Sequence, residues 1–112
     1  MDLDAERAVL ASIIIDNHNY YEVTSALTPD HFSLDSHRRI AAAMIDMVSG
    51  LGLPVDYVTL TGHLSDRKEL EAVGGAAYVC YLHDQRVKGA NLKTYIKRVR
   101  EKYLLRQVTS VF

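Results

Sequence analysis

Apolar residues recur every three to four positions along nearly the whole chain, the spacing that buries one face of an α-helix. Val9, Leu10, Ile13 and Ile14 mark a first helix that Asp4 is placed to cap and that ends near Ile15, where Asp16-Asn17 breaks the pattern. Asn19, with Glu22 three residues on, has the form of a capping box and opens a short helix through Tyr20, Val23 and Leu27. Thr28-Pro29 reads as the N-cap and first residue of a single turn that holds Phe32. A longer helix starts around Asp35. Ile40, Met44, Met47 and Val48 form its inner face, Ala41 to Ala43 favour helix intrinsically, and Gly50, Gly52 and Pro54 stop it. Asp56 can cap a helix carrying Val58, Leu60 and Leu64; Tyr57-Val58-Thr59-Leu60 is β-prone but too short and isolated to pair as a strand. Leu70 and Val73 share a short turn that ends at Gly74-Gly75, where a positive φ is expected. Tyr78, Val79 and Leu82 continue as another helix, and Asn91 caps the last one. The pattern predicts an all-α fold, with no internal repeat and no low-complexity segment.

The last helix departs from a simple amphipathic pattern. At about 100° per residue, Leu92, Tyr95, Ile96, Val99 and Tyr103 fall on one face, whereas Leu104, Leu105, Val108, Val111 and Phe112 fall nearly opposite. Arg106 stands where the first stripe would continue. A helix docked on one core throughout keeps one apolar face. The first half is therefore expected to pack on this domain and the second half to face a following helix or another subunit. Ser110-Val111-Phe112 carries no cap, glycine or other stop signal, so the pattern is expected to continue in a longer protein.

Composition narrows the class. With 112 residues, 48% of them apolar and 24% charged, the chain suits one globular domain. No apolar run reaches the length of a membrane span, and the start, Met1-Asp2-Leu3-Asp4, is acidic where a secretory signal would be basic. Cys80 is the single cysteine, which excludes an internal disulfide and fits the cytoplasm. The net charge of −1 conceals a polarity: residues 1–84 carry 5 Lys/Arg against 13 Asp/Glu, or −8, and residues 85–112 carry 8 against 1, or +7. Such polarity suits intermolecular contacts, a basic tail near nucleic acid, or a solvated cationic face.

Candidate chemistry is sparse. Gly74-Gly75 is the one glycine pair and no Gly-Lys-Ser/Thr follows it, so the phosphate cradle of a nucleotide-binding loop is missing; no Gly-x-Ser-x-Gly elbow occurs either. His18, His31, His37, His63 and His83 are never three or four apart, which leaves no paired-histidine metal site on a helix. His31 and His37 could meet through a loop, but hydrogen-bonded structural roles are expected of them. Cys80, among Tyr78, Val79, Tyr81 and Leu82, is expected to be a buried, inert thiol. Tyr20, Tyr78, Tyr95 and Tyr103 fall at core-like helical positions, which favours packing over base stacking. Lys93, Lys97, Arg98, Arg100, Lys102 and Arg106 surround the last helix, and Lys93, Lys97 and Arg100 are candidates for phosphate contact. No catalytic residue, cofactor or metal is expected in this chain. A stand-alone helical module that binds DNA through the basic last helix is the alternative reading.

Several short strings, taken in order, resemble the amino-terminal domain of DnaB-type replicative helicases. They are Glu6-x-x-Val9-Leu10, Asp30-x-Phe32, His37-Arg38-x-Ile40 and Pro54-x-Asp56-x-Val58-Thr59-Leu60, then Leu70-Glu71-x-Val73-Gly74-Gly75-x-Ala77-Tyr78 with Leu82 after it. Ala90-Asn91, Tyr95 and Val99-Arg100-Glu101-Lys102-x-Leu104-x-Arg106 complete the series. Each string alone is weak, but the order and spacing hold over almost the whole chain. Ala41, where an aromatic often stands, and Val87, where proline often stands, depart from the family pattern. The resemblance implies a small bundle of about six helices over residues 1–90, followed by residues 91–112 as the first arm of a helical hairpin. It further implies pairing of hairpins between subunits, a collar on a hexameric motor, and docking of the C-terminal domain of primase or of a helicase loader, with DNA touched weakly or indirectly. Tyr103, Leu104, Leu105, Val108, Val111 and Phe112 would then supply the hairpin or subunit contact. The ATPase, with its ATP and magnesium, would lie beyond Phe112.

Overall fold

A computed structural model describes residues 2–85 and 91–109. Among these residues the fold is all-helical. Six α-helices run α1 (Leu3–Ile15), α2 (Asn19–Ala26), α3 (Asp35–Ile45), α4 (Tyr57–Asp66), α5 (Gly75–His83) and α6 (Leu92–Thr109). A 3₁₀ turn at Pro29–His31 joins α2 to α3, a π turn at Asp46–Gly50 extends α3, and a second 3₁₀ turn at Glu71–Val73 leads into α5.

The centre of the fold is α1. Ala5, Val9, Leu10, Ala11, Ile13 and Ile14 are all buried, so apolar residues cover most of its circumference, and such a helix must be enclosed by others. It is packed by α6, α5, α3 and α2. Tyr20 and Val23 of α2, Phe32 just after the first 3₁₀ turn, Ile40 and Met44 of α3, Met47 of the π turn, Leu60 and Leu64 of α4, and Val79 and Leu82 of α5 complete one core. Leu92, Ile96 and Val99 belong to the same cluster, so the first half of α6 is part of the globule's interior.

The helix boundaries follow local chemistry, with four departures from the pattern read above. Asp2, not Asp4, caps α1: its carboxylate accepts from the Ala5 N–H at 3.0 Å, while Asp4 lies within the first turn and pairs with Arg7. No capping box opens α2. The Asp16 carboxylate accepts from the His18 N–H at 3.0 Å, and Asn19 instead donates its amide to the Ser12 carbonyl at 3.0 Å. Val58 is 73% exposed because Asp56 starts α4 so that Leu60 and Leu64 face inward, and Val58 is then turned away. Cys80 is exposed as well, since Val79 and Leu82 take the inner face of α5 and an unbroken apolar run cannot all point one way. Its thiol lies 3.8 Å from an Asp84 carboxylate oxygen.

Other signals hold. Thr28 precedes Pro29 at the start of the 3₁₀ turn and donates its N–H to His31 Nδ1 at 2.9 Å. Asp56 caps α4 by accepting from the Thr59 N–H at 2.8 Å. Gly74 and Gly75 have φ of +104° and +75°. A Cβ on Gly74 would sit 2.9 Å from the Tyr78 Cβ, so both the backbone and the space demand glycine. Gly74→Ala is expected to cost about 1–3 kcal/mol through strain and overlap, read as a lower urea midpoint with an unchanged denaturant slope.

Candidate functional site: the outer face of the last helix

The inner face of α6 is fixed at three levels. Near its start, Leu92, Ile96 and Val99 are buried. On its flank, Arg98 donates to the Asp2 carboxylate, so the residue that caps α1 also ties α6 down. That carboxyl is held below its ordinary value, first by the hydrogen bond from Arg98 and then by the one from the Ala5 N–H. Further along, Tyr103 packs its ring 4.4 Å from the His31 ring, centroid to centroid, and Arg106 donates to the His31 carbonyl at 2.9 Å. The Arg106 guanidinium lies 5.7 Å from the Tyr103 ring centroid. The inner stripe therefore does not stop where its aliphatic residues run out. An aromatic ring and a cation carry it on against the Pro29–His31 turn.

That continuation places Tyr103 on the docked face, half-buried against His31, and leaves Leu104, Leu105 and Val108 outside. These three are 52%, 58% and 61% exposed, on a helix whose other side is fully engaged. Val111 and Phe112 lie outside the described residues. Lys93, Lys97 and Arg100 are exposed, and Lys97 lies 3.9 Å from the Glu101 carboxylate. At about 100° per residue these three cations fall within about 60° of one another, and Leu104 and Val108 prolong the same line. Arg98 and Arg106 point to the domain instead. The outer face of α6 is thus basic for its first turns and apolar for its last.

A second constellation is buried. His37 is fully enclosed, with Nδ1 2.8 Å from Glu6 Oε1 and Nε2 2.6 Å from the Tyr78 hydroxyl. A carboxylate only accepts, so Nδ1 donates to Glu6, and Nε2 pairs with the Tyr78 hydroxyl. The other Glu6 oxygen accepts from the Ser33 N–H at 3.0 Å and from the Ser33 hydroxyl. Burial raises the Glu6 carboxyl, but the hydrogen bonds from His37 and Ser33 together outweigh it and hold the group below its ordinary value. Burial pushes the Tyr78 phenol up, partly offset by Arg7. This chain of groups joins α1, α3 and α5 across the core. His31 has its own partners, Thr28 and Tyr103, and does not join it. Among the described residues no group of three His, Cys, Asp or Glu side chains could hold a metal ion.

Glu6, His37 and Tyr78 each stand in one of the short strings that run through the sequence, and the fold brings the three together. A family model described as the DnaB-like helicase N terminal domain matches residues 1–101. The chain belongs to that family. It is 35% identical over 106 residues to the replicative DNA helicase DnaB of Geobacillus stearothermophilus, covering 95% of this chain and 23% of that protein. With the replicative DNA helicase DnaC of Bacillus subtilis the identity is 36% over 107 residues, covering 96% of this chain and 23% of the relative. The chain therefore spans about a quarter of the length of these relatives. The fold matches the crystal structure of the N-terminal domain of DnaB helicase from Mycobacterium tuberculosis with a TM-score of 0.91 at 33% identity, over 98% of this chain and 79% of that one. It also matches a DnaB-like replicative helicase, in a structure that describes its interactions with primase, with a TM-score of 0.84 at 28% identity, over 98% of this chain and 26% of that one.

Within the DnaB N-terminal fold, then, Glu6, His37 and Tyr78 are scaffold. The candidate functional surface is the outer side of α6. The buried network was missed in the sequence because its members are 31 and 41 residues apart. One signal was available: Glu6 lies on the same helical face as Val9, Leu10 and Ile13, and a carboxylate there requires partners.

Proposed function

We propose that this chain is a non-catalytic collar domain of a hexameric replicative DNA helicase, which joins subunits through the outer face of α6 and docks primase or a helicase loader. The observation that carries the reading is the exposed Leu104, Leu105 and Val108 strip on a helix already anchored on its other side. Burying such a strip stabilises association at about 25 cal/mol per Å². A second helix packed on it, with Val111 and Phe112 continuing the line, would complete a hairpin able to pair with that of a neighbouring subunit. Lys93, Lys97 and Arg100 would meet DNA phosphates weakly, beside the assembly role. The ATP-driven motor, with its magnesium, would belong to the remainder of the parent protein, which would act in the cytoplasm. Among the described residues no helix is long and apolar enough to cross a membrane.

The test uses the intact helicase. Leu104→Asp combined with Val108→Asp is expected to convert the assembly to smaller species in sedimentation velocity, with the domain's helicity unchanged. A ring of unaltered size would overturn the assigned surface. Calorimetric titration with the C-terminal domain of the cognate primase is expected to give saturable binding to the intact ring. Heat of dilution alone would remove primase as the partner.

A further inference from the structure

A groove of about 380 Å³ opens away from the buried network, between the α1–α2 junction and the loop after the π turn. His18, Tyr21, Val48, Leu53 and Pro54 line it. Tyr21 is 71% exposed and Leu53 43%. Large apolar side chains this open are usually scattered singly, whereas these converge.

Two ties hold the walls in place. Asn17 exchanges a pair of hydrogen bonds with Val55: its amide donates to the Val55 carbonyl and its carbonyl accepts from the Val55 N–H, each at 2.6 Å. The Tyr20 hydroxyl meets the Ser49 hydroxyl at 2.7 Å. Both ties join the first wall to the second, so the groove is shaped before anything enters it, and little ordering cost remains for a ligand.

The two segments that form its walls carry charge of one sign. The wall segments, residues 16–22 and 46–56, contain Asp16, Glu22, Asp46 and Asp56 and no lysine or arginine. Arg67 and His63 engage Asp46. Among the described residues Asp16, Glu22 and Asp56 have no lysine or arginine within ion-pair distance. Asp16 (which also meets His18), Glu22 and the α4 cap Asp56 flank the groove's lining in sequence, and acidic groups beside an apolar groove favour a ligand of opposite pattern.

We propose that this groove is a docking site for a linear basic segment of another protein. One apolar side chain of that segment seats between Tyr21 and Leu53, and flanking lysines or arginines face Asp16, Glu22 and Asp56. The proposal is independent of the assembly role of α6, no residue of which lines the groove.

The probe is a displayed library of randomised peptides about twelve residues long, long enough to fill a groove of this kind, selected against the 112-residue chain. The enriched peptides are expected to share one large apolar residue flanked by lysine or arginine, and to bind more weakly as salt rises. Tyr21→Ser with Leu53→Ser should weaken them by about tenfold or more, and Glu22→Lys by several-fold, while melting curves stay close to the parent's. Failure to enrich, enrichment of neutral or acidic peptides, or equal binding to the double variant would each overturn the proposal. So would a Tyr21- and Leu53-dependent dimer of the chain in sedimentation, which would assign the groove to a second copy.

Discussion

Replacing His37 by alanine is expected to lower the domain's stability by about 3 kcal/mol, because a buried carboxylate loses a hydrogen-bond partner. For a domain of this size that corresponds to a fall of about 12 °C in Tm, at about 4 °C per kcal/mol. The loss arises because the change leaves Glu6 in place. Glu6 is 1% exposed, and without the imidazole one of its oxygens keeps no partner. Ser33 continues to satisfy the other, which limits the damage. The Tyr78 hydroxyl loses its hydrogen bond to His37 at the same time. A double-mutant cycle with Glu6→Gln should give a coupling above about 1 kcal/mol, since the two residues act as a unit. Additive effects would mean that His37 contributes through volume alone.

The same network gives the stability a definite pH dependence. The Glu6 carboxyl titrates below its ordinary value of 4.5 in the folded chain. A depressed carboxyl stabilises fully above its unfolded value, and that contribution is lost as pH falls through the folded one. Thermal melts should therefore lose Tm progressively from about pH 5 downward, and Glu6→Gln should flatten that part of the profile.

Asn17→Ala is expected to cost about 2–3 kcal/mol, for a different reason. The side chain closes a two-bond bridge to Val55, a residue that is 1% exposed. Removing the amide leaves one N–H and one carbonyl of a buried loop residue without partners, at about 1–3 kcal/mol each before water compensates. Asn17→Asp should fare little better, since a carboxylate accepts from the Val55 N–H but opposes its carbonyl. Hydrogen exchange separates this from general destabilisation: amides of residues 51–56 should speed up well before those of α1. Uniform acceleration would show that the bridge does not hold the loop.

The sequence already contained most of the architecture and little of the polar wiring. Val9, Leu10, Ile13 and Ile14 announce α1 because helical periodicity is local, and Asp56 and Gly74-Gly75 announce boundaries because caps and positive φ need particular residues. Asp2 displaced Asp4 as the cap because a one-turn choice depends on where the chain first leaves the extended region. Val58 and Cys80 sit in apolar runs denser than one helical face can absorb, so burial could not be assigned from composition alone. The Glu6–His37–Tyr78 chain and the Asn17–Val55 bridge connect residues 31 to 41 positions apart, and no local pattern encodes such pairings. On the candidate surface, the switch of apolar residues near Tyr103 was legible as periodicity. That Tyr103 and Arg106 would prolong the docked face against His31 was not, because it depends on a turn about seventy-five residues upstream.

The docking of α6 on α1 also sets the order in which the domain can be made. Leu92, Ile96 and Val99 share one core with α1, which α6 covers, and Arg98 reaches back to Asp2 across 96 positions. Until the ribosome has released that stretch, α1 has no complete partner, and its apolar surface stays available to whatever meets it first. Contacts of such long separation also slow the search for the native state. Completion of this domain's core therefore waits for α6, the same helix whose outer face is proposed to bring subunits together.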